Sequence, residues 1–222
     1  MNFSGVAVHP DFGEVNYEAI PLSDDPDTQV AQTIEQMKRN IIEDAQSEPI
    51  RRAAAEIQRT GTGDACSDTF WWVKNRVGFR QDEELAAPIE HLIRDPQFTG
   101  VVEVLIRPRD LAQMETPLED CDGFASFLPA LLRAQGIKCN PVTVAADSRE
   151  PGRFSHVYAV CYPEGKPRIA LDSSHGPYPG WDSAFHPQVT RVKEWNIDGP
   201  NWSELLLIGA VLFVAALAWR MF

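Results

Sequence analysis

One stretch of the chain, residues 119–136, constrains the fold more than any other. Its cysteine, Cys121, stands between two aspartates at the point where a helical pattern begins. The apolar residues that follow recur at helical spacing, namely Phe124, Phe127, Leu128 and Leu131. This spacing predicts a helix with one apolar face. Gly136 is typical of the residue that follows a helix end, so the predicted helix begins near Cys121 and ends just before Gly136.

The position of Cys121 at a helix start points to thiol chemistry. The positive end of a helix dipole favours thiolate over thiol. The flanking Asp120 and Asp122 act in the opposite direction, because like charge raises the pKa of a thiol. A cysteine in a soluble domain is also commonly a small buried hydrophobe. The helix start alone therefore leaves both readings of Cys121 open.

Two later residues favour the catalytic reading. His156 and Asp172 follow in predicted strands, and cysteine, histidine and aspartate suit a nucleophile, its base and the group that orients the base. Each has an ordinary alternative: His156 as a histidine on a sheet face, and Asp172 as a cap of the following loop. His175 and His186 are rival bases, and His175 lies in a loop rather than a strand.

These residues together resemble the transglutaminase-like superfamily of papain-related thiol enzymes. The resemblance rests on Asp120 to Ala125, His156 to Tyr158 and Leu171-Asp172, and it spans about residues 65–181. It implies an α+β fold, with N-terminal helices and a catalytic helix packed on an antiparallel sheet. It also implies Cys121 as nucleophile, His156 as base and Asp172 as the orienting residue.

Two residues depart from the family pattern. Glu119 stands where the family usually has glycine, and Pro129 falls inside the predicted catalytic helix, where proline removes a backbone donor. Neither is one of the three catalytic positions. The superfamily holds peptidases, amide-transferring enzymes and inactive members, so the resemblance leaves the reaction open.

The remaining patterns divide the chain into an arm (1–25), a domain (26–195, core 65–181), a linker (196–203) and a C-terminal hydrophobic helix (204–222). Apolar stripes predict helices and β-branched runs predict strands. The predicted helices cover 30–41, 49–59, 66–76, 88–94 and a single turn at 110–114. The predicted strands cover 15–20, 141–146, 156–162, 168–172 and 189–192, and residues 101–106 fit a strand or a buried loop. The loop 173–181, rich in Gly and Pro, is expected to wall the substrate cleft.

The final run, Leu205 to Trp219, contains 15 residues without a charge. A helix of this length is about 22 Å long, somewhat short of the roughly 30 Å hydrocarbon core of a bilayer. Because the run is apolar on every side, we predict a transmembrane anchor, with a buried core helix as the alternative. A C-terminal anchor leaves the catalytic domain in the cytoplasm or in a virion, and would suit a bacterial or phage envelope.

Composition excludes several classes of function. The net charge is −12 and the sequence pI is about 4.8, so binding to nucleic acid through phosphates is not expected. The four cysteines form no CxxC pair, which argues against structural zinc. Cys66, Cys139 and Cys161 are interpreted as small core or strand residues. A reduced nucleophile and the absence of a visible secretory signal favour the cytoplasm. No cofactor or metal site is predicted.

The sequence thus predicts a cysteine peptidase or amidase that acts on a peptide or protein amide through a thioester. The backbone N–H of Cys121 is the expected oxyanion donor. Three alternatives stay open: a cross-linking enzyme that transfers the acyl group to an amine, a membrane-tethered scaffold that keeps the fold for binding, and a metal-binding module built from Cys, His and Asp.

Overall fold

The computed structural model describes residues 3–19, 22–88 and 103–199. Where the predicted helices fall within these residues, the observed helices agree with them closely. Their bounds are α1 Pro26–Asp44, α2 Glu48–Thr60, α3 Ala65–Arg76, α4 Asp82–Ala86, α5 Pro108–Leu111 and α6 Cys121–Ala134. A 3₁₀ turn covers Ser183–Phe185.

The strands form three sheets. Their bounds are β1 Phe3–His9, β2 Gly13–Ala19, β3 Gly78–Phe79, β4 Leu118–Glu119, β5 Lys138–Ala145, β6 His156–Tyr162, β7 Ile169–Leu171 and β8 Arg191–Glu194. The main sheet has the order β7-β6-β5-β8, and every pairing in it is antiparallel. β3 and β4 form a short parallel pair. The chain is therefore α+β with an antiparallel main sheet.

Helix α6 lies at the centre of the packing. It contacts α1, α2 and α3 and also the strands β5 and β6. Eleven of its 14 residues are buried, so the helix is covered on nearly every side rather than on one predicted face. It ends as predicted, because Gly136 has a left-handed φ of 77° that suits glycine. Pro129 lies inside the helix.

The N-terminal segment is more ordered than an extended arm with one strand. Residues 3–19 form a hairpin, in which β1 pairs with β2. Gly13, the first residue of β2, has a positive φ of 73°. The hairpin is tied to the domain by His9, whose Nε2 lies 3.0 Å from the carbonyl oxygen of Leu85, and the ring is buried.

The Glu119 side chain occupies space that is open only because residue 123 is glycine. The Glu119 side chain is fully buried beneath the first turn of α6, where its carboxylate accepts hydrogen bonds from the backbone N–H groups of Ile106 (2.8 Å) and Asp120 (3.2 Å). A Cβ atom at position 123 would lie only 2.6 Å from Oε2 of Glu119. The departure at 119 is therefore accommodated by the absence of a side chain at 123.

Two cysteines are bonded, which corrects the interpretation of Cys66 and Cys161 as unpaired core residues. The disulfide joins α3 to β6, with Cα atoms 6.4 Å apart and a separation of 95 positions along the chain. The sequence spacing could not reveal this pair, because α3 and β6 meet only through the tertiary packing. Cys121 and Cys139 are free thiols.

Some predictions fall on residues beyond the described ranges. The C-terminal hydrophobic helix (204–222), half of the linker before it and nearly all of the predicted helix at 88–94 lie outside the described residues. Of residues 101–106, positions 103–106 are described and form no strand. Among the helices described, none combines the length and apolar character needed to cross a bilayer. Membrane anchoring and the cellular location stay predictions.

Replacement of Gly123 by alanine tests the accommodation of Glu119. Alanine is the better helix former by about 1 kcal/mol, yet in wild type we expect Gly123→Ala to lower the unfolding free energy by about 2 kcal/mol, because the Cβ overlaps a buried, hydrogen-bonded carboxylate. In a Glu119→Ala background the same change should be neutral or stabilising. Urea denaturation of the four proteins gives this cycle, and equal effects of Gly123→Ala in both backgrounds would contradict it.

Removal of the disulfide should be costly. A bridge that closes a loop of this length is worth about 4 kcal/mol, so the Cys66→Ala/Cys161→Ala double variant should lose about that much unfolding free energy. Guanidinium denaturation with and without dithiothreitol checks this, since only wild type should respond to the reductant. Wild type that is insensitive to reductant and has four titratable thiols would contradict the bridge.

Candidate active site

Helix α6 begins at Cys121, as predicted. Asp120 is the N-cap residue, and its carboxylate accepts the backbone N–H of Asp122 at 3.0 Å. The preceding residues form β4, which pairs with β3, so the direction of entry into the helix is held by a strand. Cys121 is half-buried and packs against the main hydrophobic core. The backbone thus places a thiol at the N-terminal end of a buried helix.

The Cys121 sulfur lies beside the first residues of β6. The backbone N–H of Val157 is directed at this sulfur and acts to lower the pKa of the thiol. Strand β7 pairs only with Ala159 to Cys161 and does not extend along the start of β6. The helix start therefore meets β6 next to His156, at the end of the strand that β7 leaves uncovered.

His156 and Asp172 are brought together by the sheet. Nε2 of His156 lies 2.8 Å from Oδ2 of Asp172. Because an ionised carboxylate only accepts hydrogen bonds, this contact places the ring proton on Nε2 and leaves the lone pair on Nδ1. A ring in that state can accept a proton at Nδ1 while Asp172 stabilises the resulting cation.

Asp172 is fully buried and surrounded by donors. Besides His156, it accepts hydrogen bonds from Ser183 Oγ (2.5 Å), Ser174 Oγ (3.0 Å) and the backbone N–H of His175 (3.0 Å). Burial by itself would raise the pKa of this carboxyl, but His156 and these donors together hold the pKa well below its usual range. Asp172 therefore remains an anion at neutral pH.

The two serines are site residues that sequence reasoning missed. Ser174 lies two residues after Asp172 in a loop, where a side chain that bonds back to a carboxylate is common, so its position carried a weak signal. Ser183 lies 11 residues after Asp172 in the 3₁₀ turn. No sequence pattern links it to the aspartate, because the contact arises from the path of the intervening loop.

The electrostatics at Cys121 favour the neutral thiol in the resting protein. Burial is the largest influence and raises the pKa of Cys121 well above its usual range, and the charge of Asp120 raises it further. The helix dipole and the Val157 N–H do not overcome these effects. Among the described residues, no hydrogen bond joins the Cys121 sulfur to the His156 ring. A thiolate at Cys121 would therefore form only as the thiol proton is transferred to a base.

His175 is the second imidazole in the site. Its ring centroid lies 4.6 Å from that of His156, and its Nδ1 lies 3.0 Å from Ser174 Oγ. Burial and the neighbouring His156 lower the pKa of His175, so it adds a neutral ring rather than a second charge. His186 lies apart, at the end of the 3₁₀ turn, where its Nδ1 accepts the N–H of Gln188.

The loop 173–181 and neighbouring segments present aromatic side chains next to these groups. Phe79 packs edge-on against His175, and Tyr178 packs edge-on against Trp181. All three aromatic residues are at least 40% exposed. The loop is tied to α3 by Lys74, whose Nζ donates to the carbonyl oxygen of Ser173 at 3.3 Å. Exposed aromatic rings therefore lie on the loop and beside His175.

Comparison with known proteins adds little to this geometry. No protein-family model and no curated protein matches the sequence. One solved structure with partial similarity is a candidate cysteine protease from Cytophaga hutchinsonii, which is 18% identical with a TM-score of 0.41. The match covers 82% of this chain and 61% of the other, so this chain spans about three fifths of that protein. Similarity at this level transfers neither a fold nor an activity.

Replacement of Asp172 by asparagine should cost stability in a pH-dependent way. At pH 7 we expect Asp172→Asn to lower the unfolding free energy by about 3 kcal/mol, because buried donors lose a charged acceptor. The pKa of Asp172 is lower in the folded protein, so its contribution is complete above the unfolded value near pH 4 and declines as the pH falls below it. The unfolding free energies of wild type and variant, measured by urea denaturation, should therefore draw progressively closer as the pH falls below about 4.

An exposed carboxylate provides the control for this comparison. Glu164→Gln, in the turn between β6 and β7, should leave the unfolding free energy at pH 7 unchanged. A gap between wild type and Asp172→Asn that stays constant from pH 7 to pH 3 would contradict the role of the ionised carboxylate.

Proposed function

We propose that this chain is a transglutaminase-like thiol enzyme, a cysteine peptidase or amidase, with Cys121 as nucleophile, His156 as base and Asp172 as the residue that orients the base. The observation that carries this proposal is the hydrogen bond between His156 Nε2 and the buried Asp172, formed where a helix-start cysteine meets β6. The residues have the chemistry of a nucleophile, base and orienter.

The proposed reaction begins with the neutral thiol. His156 takes the Cys121 proton on Nδ1 as the sulfur attacks an amide carbonyl, and Asp172 stabilises the imidazolium. The oxyanion is expected to accept the unbonded N–H of Cys121 at the helix start. The imidazolium then gives its proton to the departing amine, which leaves an acyl thioester on Cys121. Water, deprotonated by His156, hydrolyses the thioester and restores the thiol.

A second candidate is a scaffold that retains the fold without catalysis. Two observations favour it: burial raises the pKa of the Cys121 thiol, and the described residues include no hydrogen bond from its sulfur to His156. In this case the histidine–aspartate pair would serve only to stabilise the loop 173–181. The enzyme remains the first candidate, because burying an ionised aspartate next to a histidine has a desolvation cost in free energy. Packing of the loop alone would not require a buried charge.

Acylation by p-nitrophenyl acetate, followed by intact mass spectrometry and peptide mapping, tests the enzyme. We expect one acetyl group on Cys121, no adduct in Cys121→Ala, and a rate lower by about 10²-fold or more in His156→Ala, because general-base assistance is lost. Cys139→Ala is the matched control, since Cys139 is the other free thiol and is buried.

Three results would overturn the enzyme and leave the scaffold. These are no acetylation of native Cys121 although the denatured chain is labelled, equal rates in wild type and His156→Ala, or labelling that persists in Cys121→Ala.

Decay of the acetyl-enzyme distinguishes hydrolysis from transfer. Water as acceptor releases acetate at a rate that does not depend on added amine. If glycinamide accelerates the decay and appears as N-acetylglycinamide, the chain belongs with the amide-transferring enzymes instead.

A further inference from the structure

Five carboxylates from three separate segments meet behind the helix start. Asp82 begins α4, Glu103 precedes α5, and Glu119, Asp120 and Asp122 surround the start of α6. The sequence predicts no metal site, and the metal-binding alternative that it leaves open uses Cys, His and Asp. No local pattern links the five carboxylates, because Asp82 and Glu103 are far from α6 in the sequence. We propose that these five residues, the carboxylate cluster, bind a hard divalent cation, with Ca²⁺ as the best fit.

The distances suit cation binding in two overlapping groups of carboxylates. Oxygen atoms of Asp82, Glu103 and Asp122 lie within 4.8 Å of one another, and the same is true of Asp82, Glu119 and Asp120. Calcium binds its oxygen ligands at about 2.3–2.6 Å, so two oxygens on the same ion are at most about 5 Å apart. Asp82 belongs to both groups and joins them into a single cluster.

Two oxygens of the cluster are buried and have no hydrogen-bond donor among the described residues. Asp82 is 8% exposed and Asp122 is 3% exposed, yet Oδ1 of each accepts no hydrogen bond. The other oxygen of Asp82, Oδ2, accepts the N–H of Val104 at 2.9 Å. A buried carboxylate oxygen without a donor is costly, and a cation would satisfy both oxygens at once.

No basic side chain among the described residues balances the charge of the cluster. Within residues 3–19, 22–88 and 103–199, no lysine, arginine or histidine forms an ion pair with any of the five carboxylates. The helix start supplies only about half a positive charge. The cluster is therefore neutralised by bound protons or by a cation.

Ligand chemistry and geometry favour the cation. All the side-chain atoms that could bind the ion are carboxylate oxygens, which suit Ca²⁺ rather than zinc or copper. The three segments also have other anchors: Arg107, four residues after Glu103, bonds to the buried Asp44 of α1 at 2.6 Å. The ligands are thus held close together by the fold despite their mutual repulsion, as a preformed cation site requires.

Calcium titration of the full-length protein tests the site without any assay of activity. After treatment with EDTA, we expect Ca²⁺ to give a saturable heat in calorimetry and to raise the unfolding temperature of wild type by several degrees. Binding to the folded state alone stabilises it in proportion to the logarithm of ligand concentration. Mg²⁺ should give a smaller shift, because it demands a tighter octahedron.

Isosteric variants locate the ion. Asp82→Asn and Asp122→Asn should each abolish most of the Ca²⁺-dependent shift. Without calcium each should unfold no lower than wild type, since the change removes like-charge repulsion. Glu83→Gln, which alters the exposed neighbour of Asp82 in α4, is the matched control and should keep the full response. Cys121→Ala should keep it too, which separates this inference from the proposed enzymatic function.

The proposal fails under either of two outcomes. One is that wild type shows no saturable response to millimolar Ca²⁺, in which case the carboxylates share protons instead. The other is that Asp82→Asn and Asp122→Asn respond like wild type, which would place the bound calcium elsewhere. Circular dichroism of each variant before titration confirms that the comparison is made between folded proteins.

Discussion

The burial of helix α6 is the constraint on which the other features depend. Helices α1, α2 and α3 cover one side of it and strands β5 and β6 cover the other, so its apolar side chains are removed from water all round. Each fully buried large side chain contributes about 1.5–3 kcal/mol, and several lie in this one helix. With α6 fixed in this way, its first residue has a fixed place relative to β6, and that place is the candidate active site.

Burial of this helix start has an electrostatic consequence. The thiol of Cys121 and the neighbouring carboxylates share a region of low polarity in which negative charge is costly. The pKa of Cys121 and the pKa values of Glu119 and Asp122 are all raised there, with burial as the largest cause. A cation in the carboxylate cluster would lower the electrostatic cost of negative charge both on the carboxylates and on the Cys121 sulfur. The proposed cation site and the proposed reaction are thus physically adjacent, although each is tested separately.

On the other side of the site, the negative charge is compensated. Asp172 is as deeply buried as Glu119 and Asp122, but it accepts hydrogen bonds from an imidazole, two hydroxyls and a backbone N–H. Its pKa is lowered in spite of burial. The contrast shows that the number of donors, rather than burial alone, decides whether a carboxylate in this protein is an anion.

Local patterns in the sequence determined the elements. The apolar spacing predicted α1, α2, α3 and α6, Gly136 marked the end of α6, and β-branched runs predicted strands at the positions of β5 and β6. These depend on neighbours along the chain, so they can be read without tertiary information. The catalytic assignment of Cys121, His156 and Asp172 also began in the sequence, but it remains a proposal.

Contacts between distant segments were decided only by the tertiary structure. The Cys66–Cys161 bridge, the Ser183–Asp172 hydrogen bond and the meeting of Asp82 with Asp122 each join residues that no local pattern connects. Gly123 is the clearest case: in a helical pattern it is an unfavourable residue, and its reason appears only when the buried Glu119 side chain is found to occupy the space of its missing Cβ. A sequence specifies which residues can form a helix or strand, whereas packing decides which side chains must share a space.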